Sequence, residues 1–134
     1  MGDYSIMNLK EIEDSAPAFG YGGVHEARFA TKPLGAEQTG LAYYAIKPDQ
    51  AQPFAHRHAS QEELYVLLSG SATAYLDDER RALTPMDAVR VGPGVTRHFA
   101  AGPEGAVMLA FGAPAVSDHK NDAELIQLDD AAAG

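Results

Sequence analysis

The stretch His56-Arg57-His58-Ala59-Ser60-Gln61-Glu62-Glu63 places two imidazoles and a pair of carboxylates within reach of one another. Imidazole is a common metal ligand, and carboxylate oxygen completes a nitrogen and oxygen donor set. Side chains alternate along an extended strand, so His56 and His58 share a face and can aim at one atom. Glu63 stands five residues beyond His58, which would put it on the opposite face of an unbroken strand. A turn at Ala59-Ser60-Gln61 restores convergence, with Glu63 opening the next strand and facing back toward the histidines. Glu62 competes for that role, because Leu64 to Leu68 is apolar on both faces and parity alone does not choose. Two histidines and one carboxylate with open positions form the arrangement used by non-haem iron(II) oxygenases, although manganese, nickel, zinc and cobalt suit the same donors. One divalent transition metal, iron(II) first, is the cofactor this predicts.

The elements needed to position these groups read as short strands. Leu41 to Ile46 is aromatic and aliphatic and stops at Lys47-Pro48-Asp49-Gln50, a strand followed by a turn. Gln52 to His58 puts Phe54, His56 and His58 on one face. Leu64 to Leu68 and Ala72 to Leu76 read as a hairpin pair around Ser69-Gly70. Ala88 to Val91, Val95 to Ala100 and Ala106 to Phe111 follow, separated by Gly92-Pro93-Gly94 and by a turn at Gly102-Pro103-Glu104-Gly105. His25 to Ala30 is a further short strand. Ile6 to Ile12 fits either an edge strand or a turn of helix, and Phe19 to Gly23 is a glycine-rich loop. Asn121 to Leu128 has the pattern of a helix with Leu125 and Leu128 on one side, ahead of a frayed end. Short strands spaced by turns, without helical periodicity between them, indicate an all-β antiparallel sandwich or barrel.

Composition narrows the function. The chain has 134 residues, the size of one domain, and no cysteine, so thiolate metal sites, disulfides and cysteine nucleophiles are excluded. A formal charge of −9 opposes phosphate backbones and anionic membranes, which argues against nucleic-acid or membrane partners. With no leader pattern and no long apolar run, a soluble cytoplasmic protein is expected.

The spacing His-x-His-x4-Glu-x6-Gly, met by His56, His58, Glu63 and Gly70, resembles the first signature of the cupin superfamily. The resemblance implies a jelly-roll barrel holding one divalent metal inside it, and it selects Glu63 over Glu62. It divides the chain into an N-terminal strand and loop segment (1–36), a barrel core (37–114) and a C-terminal tail (115–134). The second signature departs from the pattern: an ungapped match puts Arg97 at the fourth ligand position and His98 one residue late. Arg97 would then face the barrel interior together with Phe99, while a bulge between Gly94 and Arg97 would turn His98 inward as a ligand instead. By alternation Phe54, Tyr65, Leu67 and Phe99 line a pocket, with Arg97, and with Tyr44 placing a hydroxyl at it. His25 and His119 read as ordinary structural histidines.

Two functions follow. In the first, a metal on His56, His58 and Glu63, with His98 as candidate fourth ligand, supports an oxygenase acting on a small organic molecule. Glu63 is then ligand and possible base, and Arg97 orients a carboxylate or enolate. In the second, the cavity binds a small molecule without reaction, metal-free, with Glu63 paired to Arg97. The apolar outer face of Leu64, Val66 and Leu68 suits a homodimer.

Overall fold

A computed structural model describes residues 2–115 and 122–128. Among these, eight strands run in the order β1 (His25–Phe29), β2 (Gly40–Ile46), β3 (Phe54–His58), β4 (Glu62–Leu76), β5 (Glu79–Leu83), β6 (Ala88–Val91), β7 (Arg97–Ala113) and β8 (Ala123–Gln127). One four-residue helix, Thr31–Leu34, joins β1 to β2, and Leu9–Glu11 and Pro17–Phe19 are single 3-10 turns. Of the two alternatives for Ile6 to Ile12, the turn of helix is the one found, as the 3-10 turn Leu9–Glu11 capped by the Asn8 side chain, which accepts from the Lys10 N–H.

All pairings are antiparallel, and two long strands carry the architecture. The first part of β4 lies between β6 and the end of β7, and the second part lies between β5 and the start of β7. The end of β7 continues to β2 and β1, and its start continues to β3 and β8. One sheet thus curls into two faces that share β4 and β7, which is the jelly roll expected from the sequence.

The hairpin expected between Leu64–Leu68 and Ala72–Leu76 is corrected here, since both belong to β4, and Ala72–Leu76 instead pairs with β5 and β7. The turn expected at Gly102 to Gly105 is likewise inside β7. Both strands bend rather than stop. Register shifts between Leu67 and Ser69 and between Gly70 and Ala72 mark the bend, and bulges of this kind are how a sheet turns a corner. Gly70 has φ +82°, and a Cβ there would lie 1.9 Å from the Gly105 carbonyl oxygen, so the crossing admits glycine alone.

The barrel core is built on the inward alternation of these strands. Tyr65, Leu67, Ala74, Val91, Phe99 and Met108 are buried in one cluster. Burial of a side chain such as Leu67 or Phe99 is worth about 2–3 kcal/mol against exposure.

The helix expected over Asn121 to Leu128 is corrected as well. Ala123–Gln127 is strand β8, paired along the whole of β3 from Phe54↔Gln127 to His58↔Ala123. The hydrogen-bonding edge of β3 offers this segment a ladder, and tertiary pairing overrides local propensity. Asn121, His119 and the frayed end expected after Leu128 lie outside the described residues.

Candidate functional site

β3 delivers the two histidines. Phe54, His56 and His58 face inward, while Arg57 between them is exposed and pairs with Glu124. The chain then turns at Ala59–Gln61 and enters β4, where Glu63 points inward and Glu62 outward to Arg90 at 2.7 Å. The choice between the two glutamates, open on periodicity, is made by this register. One ligand atom from each of His56, His58 and Glu63 lies within 4.8 Å of the others, which makes them a group able to hold a metal ion. Glu63 Oε1 is 3.4 Å from His56 Nε2 and 3.2 Å from His58 Nε2.

Arg97 takes the inward place at the start of β7, opposite His56 on β3 and Leu76 on β4. Pairing runs without a shift from Arg97 to Ala101, with His98 opposite Tyr75. His98, the fourth candidate ligand, lies on the other face with its ring stacked on Tyr75, centroids 4.4 Å apart. It does not belong to the group that His56, His58 and Glu63 form.

The guanidinium of Arg97 is fully buried and committed. It donates to Glu63 Oε1, to the Tyr65 hydroxyl at 3.2 Å and to the Val95 carbonyl at 3.0 Å. Tyr65 in turn donates to Glu63 Oε1 at 2.8 Å. The expectation that Arg97 grips a ligand is corrected by this geometry: its donors hold Glu63, and it does not line the cavity described below.

Electrostatics follow from these contacts. Burial disfavours the Glu63 carboxylate, yet hydrogen bonds from His56, His58 and Arg97 outweigh it and hold the group well below the usual carboxylate range. So acidic a carboxylate is a good ligand and a weak base, against the second role expected of it. Burial keeps His56 below its ordinary value, and therefore neutral and able to ligate. Burial also opposes charge on His58, but Glu63 and Asp122 overcome it and raise its pKa. Burial first, and then the Glu63 charge, raise the Tyr44 hydroxyl, which stays protonated.

Asp122, which sequence reading did not single out, completes the site from the segment leading into β8. Its Oδ2 lies 2.8 Å from His58 Nδ1, and Ser60 N–H donates to its Oδ1 at 2.9 Å. A carboxylate behind a ligating histidine fixes the ring and its tautomer. His58 lies between Asp122 and Glu63, both of which favour its charged form. A metal at Nε2 would displace the proton carried there.

A cavity of about 430 Å³ opens at the site. Tyr44, Phe54 and His56 line it. Tyr65, Leu67 and Phe99, expected to line it as well, are packed beneath in the core, at 2%, 0% and 1% exposure. The rest of the wall comes from the N-terminal segment (Ala16, Phe19, Tyr21), from His25 on β1 and from Leu125 on β8. His25, read as an ordinary structural histidine, is thus part of the cavity. Its signal in the sequence was only a strand parity shared with Ala27.

The cupin domain model matches residues 42–112, just over half of the chain. This chain belongs to the cupin superfamily. The matched span holds His56, His58, Glu63, Gly70 and Arg97 and leaves out His25 and Asp122. No curated protein matches this cupin in sequence. Solved structures agree on its fold. A cupin protein from Bacteroides fragilis is 22% identical with a TM-score of 0.68, over 88% of this chain and 90% of that one. Pac13 from Streptomyces with uridine, a nucleoside dehydratase, is 16% identical with a TM-score of 0.73, over 96% and 93%. Oxalate decarboxylase from Bacillus subtilis is 20% identical with a TM-score of 0.75; the match covers 96% of this chain and 33% of that one. Among the described residues no helix is long and apolar enough to cross a membrane.

Proposed function

We propose that this cupin is a metal-dependent enzyme, most simply an oxygenase, that binds one divalent transition metal on His56, His58 and Glu63 and acts on a small organic molecule in the adjoining cavity. The observation that carries the reading is the convergence of two imidazole nitrogens and one carboxylate oxygen within 4.8 Å, with His56 of the group in the cavity wall. The donor set fits the metal: His56 is held neutral, Glu63 is held ionised, and His58 is oriented by Asp122. Two histidines and a carboxylate leave coordination positions open, where a bound metal would act as a Lewis acid on substrate oxygen or dioxygen.

The protein's own groups supply the rest. Arg97 and Tyr65 fix the Glu63 carboxylate from the buried side, and His56 joins the group to the cavity wall. Tyr44, protonated and at the wall, can donate a hydrogen bond to a substrate oxygen. Tyr21 and Phe54, in edge contact at 5.8 Å, exclude water from the apolar side.

A second reading is favoured by one specific observation. The Arg97 bond to Glu63 already satisfies both buried charges, so a metal-free cupin that only binds its ligand accounts for the same pair. Metal analysis of protein purified without chelators separates the two. Stoichiometric iron with oxygen uptake on catechols or diketones supports the oxygenase, and iron- and zinc-free protein that regains no metal on titration sinks it. Leu64 and Leu68, at 45% and 41% exposure on the outer face, would seat a second copy in a cytoplasmic homodimer. Light scattering giving a monomer mass at micromolar concentration would remove that part of the proposal.

A further inference from the structure

Two histidines line the cavity, His56 of the candidate metal group and His25 at the start of β1. Aromatic edges and faces line it as well. The His25 and Tyr44 rings lie near parallel at 18° with centroids 6.5 Å apart, and Tyr21 meets His25 edge-on at 6.5 Å and 79°. Phe29 meets Tyr44 edge-on at 6.1 Å and 85°. No Asp, Glu, Lys or Arg is among the described residues lining this space.

His25 is 7% exposed, and its Nδ1 is buried without a hydrogen-bond partner among the described residues. Buried polar atoms are almost always satisfied, because leaving one unpaired costs about 1–3 kcal/mol. Nδ1 itself is closed off from the cavity, so the ring nitrogen left to a molecule entering it is Nε2, which makes no hydrogen bond among the described residues. The amide of Gln52, also in the wall, is not equivalent, since its Oε1 already accepts from the Phe99 N–H at 3.0 Å.

We propose that His25 is the ligand-recognition residue of this cavity, hydrogen-bonding an uncharged polar substituent, such as a ring hydroxyl, of a small aromatic acid whose carboxylate reaches His56. The ring is held by aromatic edge contacts of the kind Tyr21, Phe29 and Phe54 make. The substituent is uncharged because no formally charged side chain among the described residues lines the cavity to pair with one. The volume, about 430 Å³, lies in the range of small-molecule pockets. The assignment rests on the metal reading only for the anchoring of the carboxylate.

Titration calorimetry with benzoate, 3-hydroxybenzoate and 4-hydroxybenzoate on the zinc-supplemented protein tests it. One of the hydroxylated acids should bind about tenfold more tightly than benzoate, the worth of one good hydrogen bond. His25→Phe should erase that preference, and His25→Gln should retain part of it. Should the phenylalanine variant fail to fold, 15N NMR of the unaltered protein serves. The His25 ring nitrogens should shift with the preferred hydroxylated acid and not with benzoate. Equal binding of all three acids, a preference that survives His25→Phe, or no binding of any of them overturns the proposal. Zinc binding followed separately reports on the metal reading: a preserved hydroxyl preference without zinc binding overturns that reading and leaves the role of His25 standing.

Discussion

Asp122 shows how much of a candidate metal site lies behind the residues that would ligate. Its carboxylate joins His58 Nδ1 at 2.8 Å to the backbone of Ser60, so one side chain both aims a ligand and ties β8 to the turn after β3. Exchange of Asp122→Asn keeps the shape and removes the charge. Metal affinity should fall about 10- to 100-fold, read by competition with a chromophoric chelator. An unchanged affinity would show that His58 is oriented by β3 alone. Arg97 works at the same scale in the opposite sense. It is a positioning residue, because its donors are spent on Glu63, Tyr65 and Val95. His56 and His58 were legible from type and spacing, since parity along a strand puts them on one face, whereas Glu63 was preferred to Glu62 only through the cupin resemblance. Asp122 was not, because nothing in its local sequence distinguishes it from any other acidic residue near the end of the chain.

Two elements decide whether the barrel closes around the site. The first is the shared bend of β4 and β7, where Gly70 sits at φ +82° against the Gly105 carbonyl. Gly70→Ala must both hold a left-handed backbone and push Gly105 away. A loss of about 3 kcal/mol in urea unfolding is expected, and one under about 1 kcal/mol would show the crossing to be compliant. The second is the N-terminal segment, pinned to β1 by Asp14, whose Oδ1 accepts from Ala16 N–H at 3.0 Å and Ala27 N–H at 2.9 Å. Burial opposes the Asp14 charge, but these backbone bonds outweigh it and lower its pKa. A lowered folded pKa means stability present above about pH 4 and lost as pH falls through the folded value. Asp14→Asn should therefore lower stability by about 1 kcal/mol at pH 7, and the difference from the unaltered protein should shrink toward pH 3 in thermal melts. The strands themselves were largely legible, from β2 with its aromatic and aliphatic run to β6 between two turns. The bend was misread as a turn because Ser69-Gly70 and Gly102 to Gly105 look alike whether a chain reverses or only bends. What separates the cases is the long partner strand each one has.

For the whole molecule, a metal that binds the folded chain alone couples the site to global stability. At a free metal concentration of 100 times its dissociation constant, the gain is about 2.7 kcal/mol. For a domain of 134 residues, that corresponds to a rise in Tm of about 10 °C. Scanning calorimetry with and without zinc should show this rise in the unaltered protein and lose most of it in Glu63→Gln. A rise of equal size in both would place the bound zinc elsewhere.

The amino-acid sequence by itself determined the β class, the shared face of His56 and His58, the lack of thiolate chemistry and the family. Each follows from alternation, spacing or residue type within a few neighbours. Only the tertiary structure decided that Arg97 serves Glu63 rather than a ligand, that His98 packs on Tyr75, and that β8 is a strand. It also brought Asp122 to His58 across 64 residues of chain and His25 to the cavity. Those outcomes depend on which strands lie side by side, and strand pairing is a property of the closed barrel that no local pattern contains.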